Sequence, residues 1–103
     1  MAVAFVQEFP IDAGGDRSTS NYDAVNERLT LGKEAPEGLI LHTAGFDEEA
    51  GVFRILNFWE TREQGQRYLD EVVMPIVNEV VTDSAARPPS RQSFYELHHV
   101  AGP

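Results

Sequence analysis

The side chains best suited to chemistry in this chain are His42, Asn57, Gln7 and Trp59. A neutral histidine titrates near physiological pH and can remove a proton from an acidic O–H or C–H. Two carboxamides beside it can hold the oxyanion that develops. A tryptophan can stack on a flat ligand. Together they would suit deprotonation of a phenol or an enolisable ketone. Cofactor-free oxygenation starts in the same way, because the substrate anion supplies the electrons. His42 is therefore the expected base, with Asn57 as its catalytic partner. Gln7, Trp59, Glu96 and His98 are the expected substrate-binding residues. Each also has a plainer role: a hydrogen-bonded interface histidine for His42, core packing for Trp59, and satisfaction of backbone groups for Asn57 and Gln7.

This grouping depends on the elements that carry the residues. Ala2 to Phe9 is short, apolar and β-prone, and Pro10 ends it. Gly14, Gly15 and Asp16 mark a loop. Ser18, Thr19 and Ser20 offer N-caps, with Ser20 and Asp23 at capping-box spacing. Tyr22, Val25 and Leu29 share a helical face, and Gly32 suits a C′ stop. Leu39 to Phe46 and Val52 to Glu60 flank the turn residues Asp47 to Gly51 and form a hairpin. Thr61 caps the next helix, with Gln64 completing the box. Leu69, Val72, Val73, Ile76, Val77 and Val80 continue its period, but Pro75 must kink it or begin a second helix. Asp83 to Arg91 is a loop with Pro88 and Pro89. Ser93 to Val100 is the last strand.

The order βαββαβ predicts one α+β domain over 1–103, in the ferredoxin-like arrangement. Its four antiparallel strands run 4-1-3-2, with both helices on one sheet face. Alternation puts Gln7, His42, Asn57, Trp59, Glu96 and His98 on one face, among Val3, Phe5, Phe9, Ile40, Ile55 and Phe94. Leu39, Leu41, Leu56, Phe58, Tyr95 and Leu97 take the other. The second set is more apolar and is expected to meet the helices, leaving the first to a pocket or dimer side. A four-residue loop, Glu48 to Gly51, pairs His42 with Asn57; a one-residue slip would undo the grouping.

Neither sheet face reads as wet, yet helices can cover only one. The other would be a large exposed apolar patch, so a homodimer is expected. Composition narrows the partners. Seventeen Asp and Glu oppose eight Lys and Arg, for a net charge of −9. No basic run exists for nucleic acid, and an anionic membrane surface would repel the chain. With no cysteine, disulfides, thiolate catalysis and Cys-based zinc sites are excluded. The N-terminus has no basic n-region, and no stretch is long enough for a membrane-spanning helix, so the cytoplasm is the expected compartment.

No cofactor or metal is expected. His42, Glu96 and His98 would make a two-His, one-carboxylate set only across a dimer, because strands 2 and 4 are opposite edges, about 14 Å apart within one subunit. Gly14-Gly15 lacks phosphate-loop spacing. Arg54 and Arg62 are read as solvated or ion-paired cations rather than ligand anchors.

The segment Asn57-Phe58-Trp59-Glu60-Thr61-Arg62-Glu63, running from strand into capped helix, resembles the dimeric α+β barrel superfamily. Gly38 to Glu60 and Val6-Gln7-Glu8-Phe9-Pro10 are similar to small bacterial members of its antibiotic-biosynthesis-monooxygenase-like branch. The resemblance spans nearly the whole chain. It implies a dimer with a pocket between sheet and helices or near the barrel interior, and a small hydrophobic or aromatic ligand. It assigns no catalytic residue. A cofactor-independent monooxygenase or proton-transfer enzyme is the expected function; the alternative is a non-catalytic homodimeric ligand-binding or structural protein.

Overall fold

Strand-forming runs alternate with capped helices along the chain, and the computed structural model realises that order. It runs β1 (Val3–Pro10), α1 (Ser20–Leu29), β2 (Leu39–Asp47), β3 (Val52–Trp59), α2 (Arg62–Tyr68), a π-turn (Leu69–Val73), α3 (Met74–Val80) and β4 (Arg91–Glu96). The structure describes residues 1–11, 19–29, 35–81 and 88–102. The expected loop at Gly14 to Asp16, the helix stop at Gly32 and most of the loop from Asp83 lie outside these residues.

The sheet is antiparallel with order β2-β3-β1-β4, the expected ferredoxin-like arrangement. Gly51 takes a positive φ of 68° and closes the β2–β3 hairpin, so His42 stands opposite Asn57 as its loop length predicts. The register breaks once, between Leu39 and Leu41, where Ile40 is an extra residue. Leu39 therefore pairs with Trp59 and packs against the core, not on the opposite face where strict alternation puts it.

The expected face assignment is reversed. Val3, Phe5 and Trp59 from the sheet pack with Leu69 from the π-turn, joined by Leu39, Tyr68, Val73 and Phe94. The face carrying His42, Asn57 and Trp59 thus meets the helices. The face carrying Leu41, Leu56, Phe58 and Tyr95 is open, with Leu41 54% and Tyr95 46% exposed. Aromatic volume decides this: burying a Phe-sized side chain stabilises by roughly 1.5–3 kcal/mol, and the rings lie mainly on the first face. Phe5 stacks on Phe94 at 4.4 Å, and Trp59 tilts against Tyr68 at 5.5 Å.

Local chemistry sets the helix positions. Thr61 accepts from the Gln64 backbone N–H, and its hydroxyl donates to Gln64 Oε1. At α1 Thr19, one of the expected caps, immediately precedes the helix, and its hydroxyl donates to Asp23 Oδ2 at 2.8 Å. Gly65 lets α2 lie directly on the sheet, since a Cβ there would stand 2.9 Å from both Phe94 and Trp59. Pro75 has no N–H for the carbonyl four residues back. The preceding π-turn absorbs this, with the Met74 N–H bonded to the Leu69 carbonyl, and Pro75 sits in the first turn of α3.

Candidate functional site

Tyr22 on α1, His42 on β2 and Asn57 on β3 form one hydrogen-bonded chain between helix and sheet. His42 Nδ1 lies 2.6 Å from Asn57 Oδ1. His42 Nε2 lies 2.6 Å from the Tyr22 hydroxyl. The first contact follows from register, because His42 and Asn57 are cross-strand partners whose side chains leave the same face. The second is tertiary and brings α1 over the hairpin. Phe53 steadies the phenol with an edge contact at 5.4 Å, and the Tyr22 and His42 rings are near parallel, at 6°.

With the Asn57 carbonyl oxygen facing Nδ1, that nitrogen is the donor and Nε2 carries the lone pair. Tyr22 then donates to Nε2. Burial, with the neighbouring Asp23 charge adding to it, raises the Tyr22 phenol above its ordinary value of 10.0. The phenol therefore stays protonated and able to donate at neutral pH.

Among the described residues, two buried polar atoms have no hydrogen-bond partner: Asn26 Oδ1 and Trp59 Nε1. Asn26 stands one helical turn after Tyr22, about 6 Å along α1. Trp59 is two residues beyond Asn57 on the same strand face, about 7 Å away. A buried acceptor or donor left unpaired costs about 1–3 kcal/mol. The pair can accept from a ligand hydroxyl or amine at Asn26 and donate to a ligand oxygen at Trp59. Trp59 is only 2% exposed and packs in the core, with its indole N–H buried.

The other expected residues are not brought to this chain. Gln7 pairs with Ile55, and its amide donates to Gln92 Oε1 at 2.9 Å. Glu96 stands opposite Val3 on β4 and is exposed, while His98 lies beyond the end of β4 and is also exposed. Arg54 is ion-paired on the open face. It donates to Glu8 from Nε and to Asp47 from Nη1, each at 2.7 Å. Arg62 lies 5.2 Å over the Phe94 ring. Among the described residues, no group of three or more His, Asp or Glu could hold a metal ion, and no helix is long and apolar enough to cross a membrane.

Tyr22 and Asn26 are the site residues that sequence reasoning missed. Their i, i+4 spacing puts both on one helix face. By pattern alone Tyr22 reads as apolar helix surface and Asn26 as an ordinary polar position, so only that spacing signals the pair.

Neither a family model nor a curated protein matches the sequence. Solved structures do share the fold. Rv0793 from Mycobacterium tuberculosis superposes with a TM-score of 0.70 at 13% identity, covering 99% of this chain and 100% of its own. SnoaB, a cofactor-independent oxygenase from Streptomyces nogalater, gives 0.62 at 13% identity, covering 96% and 95%. The heme-degrader MhuD from Mycobacterium tuberculosis, with two hemes bound in its active site, gives 0.58 at 13% identity, covering 99% and 100%. This chain shares the ferredoxin-like fold of these structures.

Proposed function

We propose that this protein binds a flat aromatic or polyketide-like compound between sheet and helices and removes an acidic proton from it, as a cofactor-independent oxygenase does in its first step. His42 is the base, Asn57 holds its tautomer and Trp59 walls the ligand. The carrying observation is the His42–Asn57 contact at 2.6 Å, together with the buried Asn26 Oδ1 and Trp59 Nε1, which have no partner among the described residues. A base needs a fixed tautomer and a ligand needs polar groups waiting for it, and these residues would supply both. The fold shared with a cofactor-independent oxygenase supports the same reading.

The working unit in this proposal is a cytoplasmic homodimer, its open faces packed together. The exposed Leu41 and Tyr95, beside Leu56 and Phe58, support it.

The test is oxygen consumption with a panel of polycyclic phenols and enolisable ketones, comparing the wild type with His42→Gln. Turnover that depends on His42 supports the reading, and turnover unchanged in the variant sinks it.

One observation favours a second reading. Both ring nitrogens of His42 already have protein partners, which is how a purely structural histidine is satisfied. In that case the protein is a non-catalytic binder or structural dimer. His42→Gln would then lower the unfolding midpoint while no compound is turned over by either protein.

A further inference from the structure

His42 cannot accept a ligand proton directly while Nε2 is engaged. Its one lone pair lies 2.6 Å from the Tyr22 hydroxyl, and its other nitrogen is held by Asn57. A base enclosed in this way acts through the donor that encloses it. We infer that Tyr22 is the proton-exchanging end of a Tyr22–His42–Asn57 relay, and that its ligand carries an acidic O–H or enolisable C–H together with a second hydroxyl or amine. The inference rests on the reading of His42 as a base and adds the residue that meets the ligand.

The transfer balances. The ligand's proton forms a bond to the Tyr22 oxygen as the Tyr22 O–H breaks and Nε2–H forms. The ligand keeps the electron pair and becomes the anion, and His42 becomes the imidazolium. No hydrogen bond is lost in the exchange, since the imidazolium donates from Nδ1 to Asn57 Oδ1 and from Nε2 to the Tyr22 oxygen. The relay is therefore satisfied in both protonation states. Asn26 Oδ1, buried one turn along the same helix and without a partner among the described residues, accepts from the ligand's second donor.

Among the described residues, the relay's proton is left to these groups. From β2 the titratable neighbour of Tyr22 is His42; from β3 come Phe53 and Asn57, which do not titrate. On α1 itself Asp23 is adjacent, and its carboxylate accepts from Thr19. From α3, Glu79 is paired with Arg28, further along α1, at 3.0 Å.

The experiment is nitrogen NMR of the imidazole side chains in the full chain, without ligand, for wild type, Tyr22→Phe and Asn57→Leu. The His42 signals are identified by their loss in His42→Gln. The expected result is an Nδ1–H tautomer with a hydrogen-bonded Nε2 in wild type, and an Nε2 signal that moves to the free-acceptor position in Tyr22→Phe. Turnover of a phenol from the panel should fall about a hundredfold or more in Tyr22→Phe, mainly in kcat. An Nε2–H tautomer overturns the relay, and so does wild-type turnover in Tyr22→Phe, which would leave His42 as a direct base. The expected tautomer with no His42-dependent turnover of any panel compound overturns the base reading, and the relay with it.

Discussion

His42 and Asn57 are cross-strand partners in the β2–β3 hairpin, and their side chains meet at 2.6 Å on the helix-facing side of the sheet. Because the pair is set by register, it can be broken without moving the strands. Asn57→Leu removes the acceptor for the His42 Nδ1–H at similar volume. The expected loss is about 1 kcal/mol, since the group is part-buried and water can replace some of the bond. Urea unfolding checks it, and an unchanged midpoint would mean that the contact contributes nothing to stability.

Gly65 is where α2 touches the sheet. Gly65→Ala drives a methyl to 2.9 Å from the Phe94 and Trp59 rings, neither of which is the end of a flexible chain. Overpacking of this kind costs about 1–3 kcal/mol and outweighs the helix-propensity gain of under about 1 kcal/mol. A fall in Tm is expected. A rise would show that α2 can lift away at little cost.

Asp47 on the open face sets an acid-side dependence. The Ala50 backbone N–H, followed by the Arg54 side chain, holds its carboxyl below the ordinary 3.8. The folded state then binds fewer protons than the unfolded state between the two values. Its stabilising contribution is present above the ordinary value and is lost as pH falls through the folded one. Asp47→Asn should flatten the stability–pH curve in that window and leave its shape near neutrality unchanged. Denaturation midpoints from pH 3 to pH 7 measure this, and identical curves for the two proteins would remove Asp47 from the account.

The open face should assemble. Leu41 is the most exposed of its large apolar strand residues, and Leu41→Glu places a charge where a second copy would pack. Native mass spectrometry should find two chains for the wild type and one for the variant. A bare wild-type monomer would mean that the patch is simply tolerated.

Thr61→Ala removes the cap from α2, where the hydroxyl satisfies the Gln64 N–H. Loss of such a cap costs about 1 kcal/mol. Circular dichroism melts should register it as a lower Tm with native helix content at low temperature.

The sequence by itself determined what is local. Turn residues, caps and β-prone runs placed the elements, with the strand ends shifted by a residue or more. Chain order chose the ferredoxin-like arrangement, because a βαββαβ run of this length has few other ways to close an antiparallel sheet. Loop length set the hairpin register, so the His42–Asn57 pair was legible from residue spacing alone. Pro75 announced a break in the helical run, although not that a π-turn would absorb it. Only the tertiary structure decided which face the helices cover. The count of apolar residues favours the Leu41, Leu56, Phe58 and Tyr95 side. Helices instead pack where Phe5, Trp59 and Phe94 offer ring area beside Val3 and where Gly65 permits close approach. The Ile40 bulge moved Leu39 to that side, and alternation counted along one strand cannot show a bulge. Tyr22 came to His42, and Arg54 to Glu8 and Asp47, across separations of 20, 46 and 7 residues. Such contacts depend on the relative placement of whole elements, which no local spacing encodes.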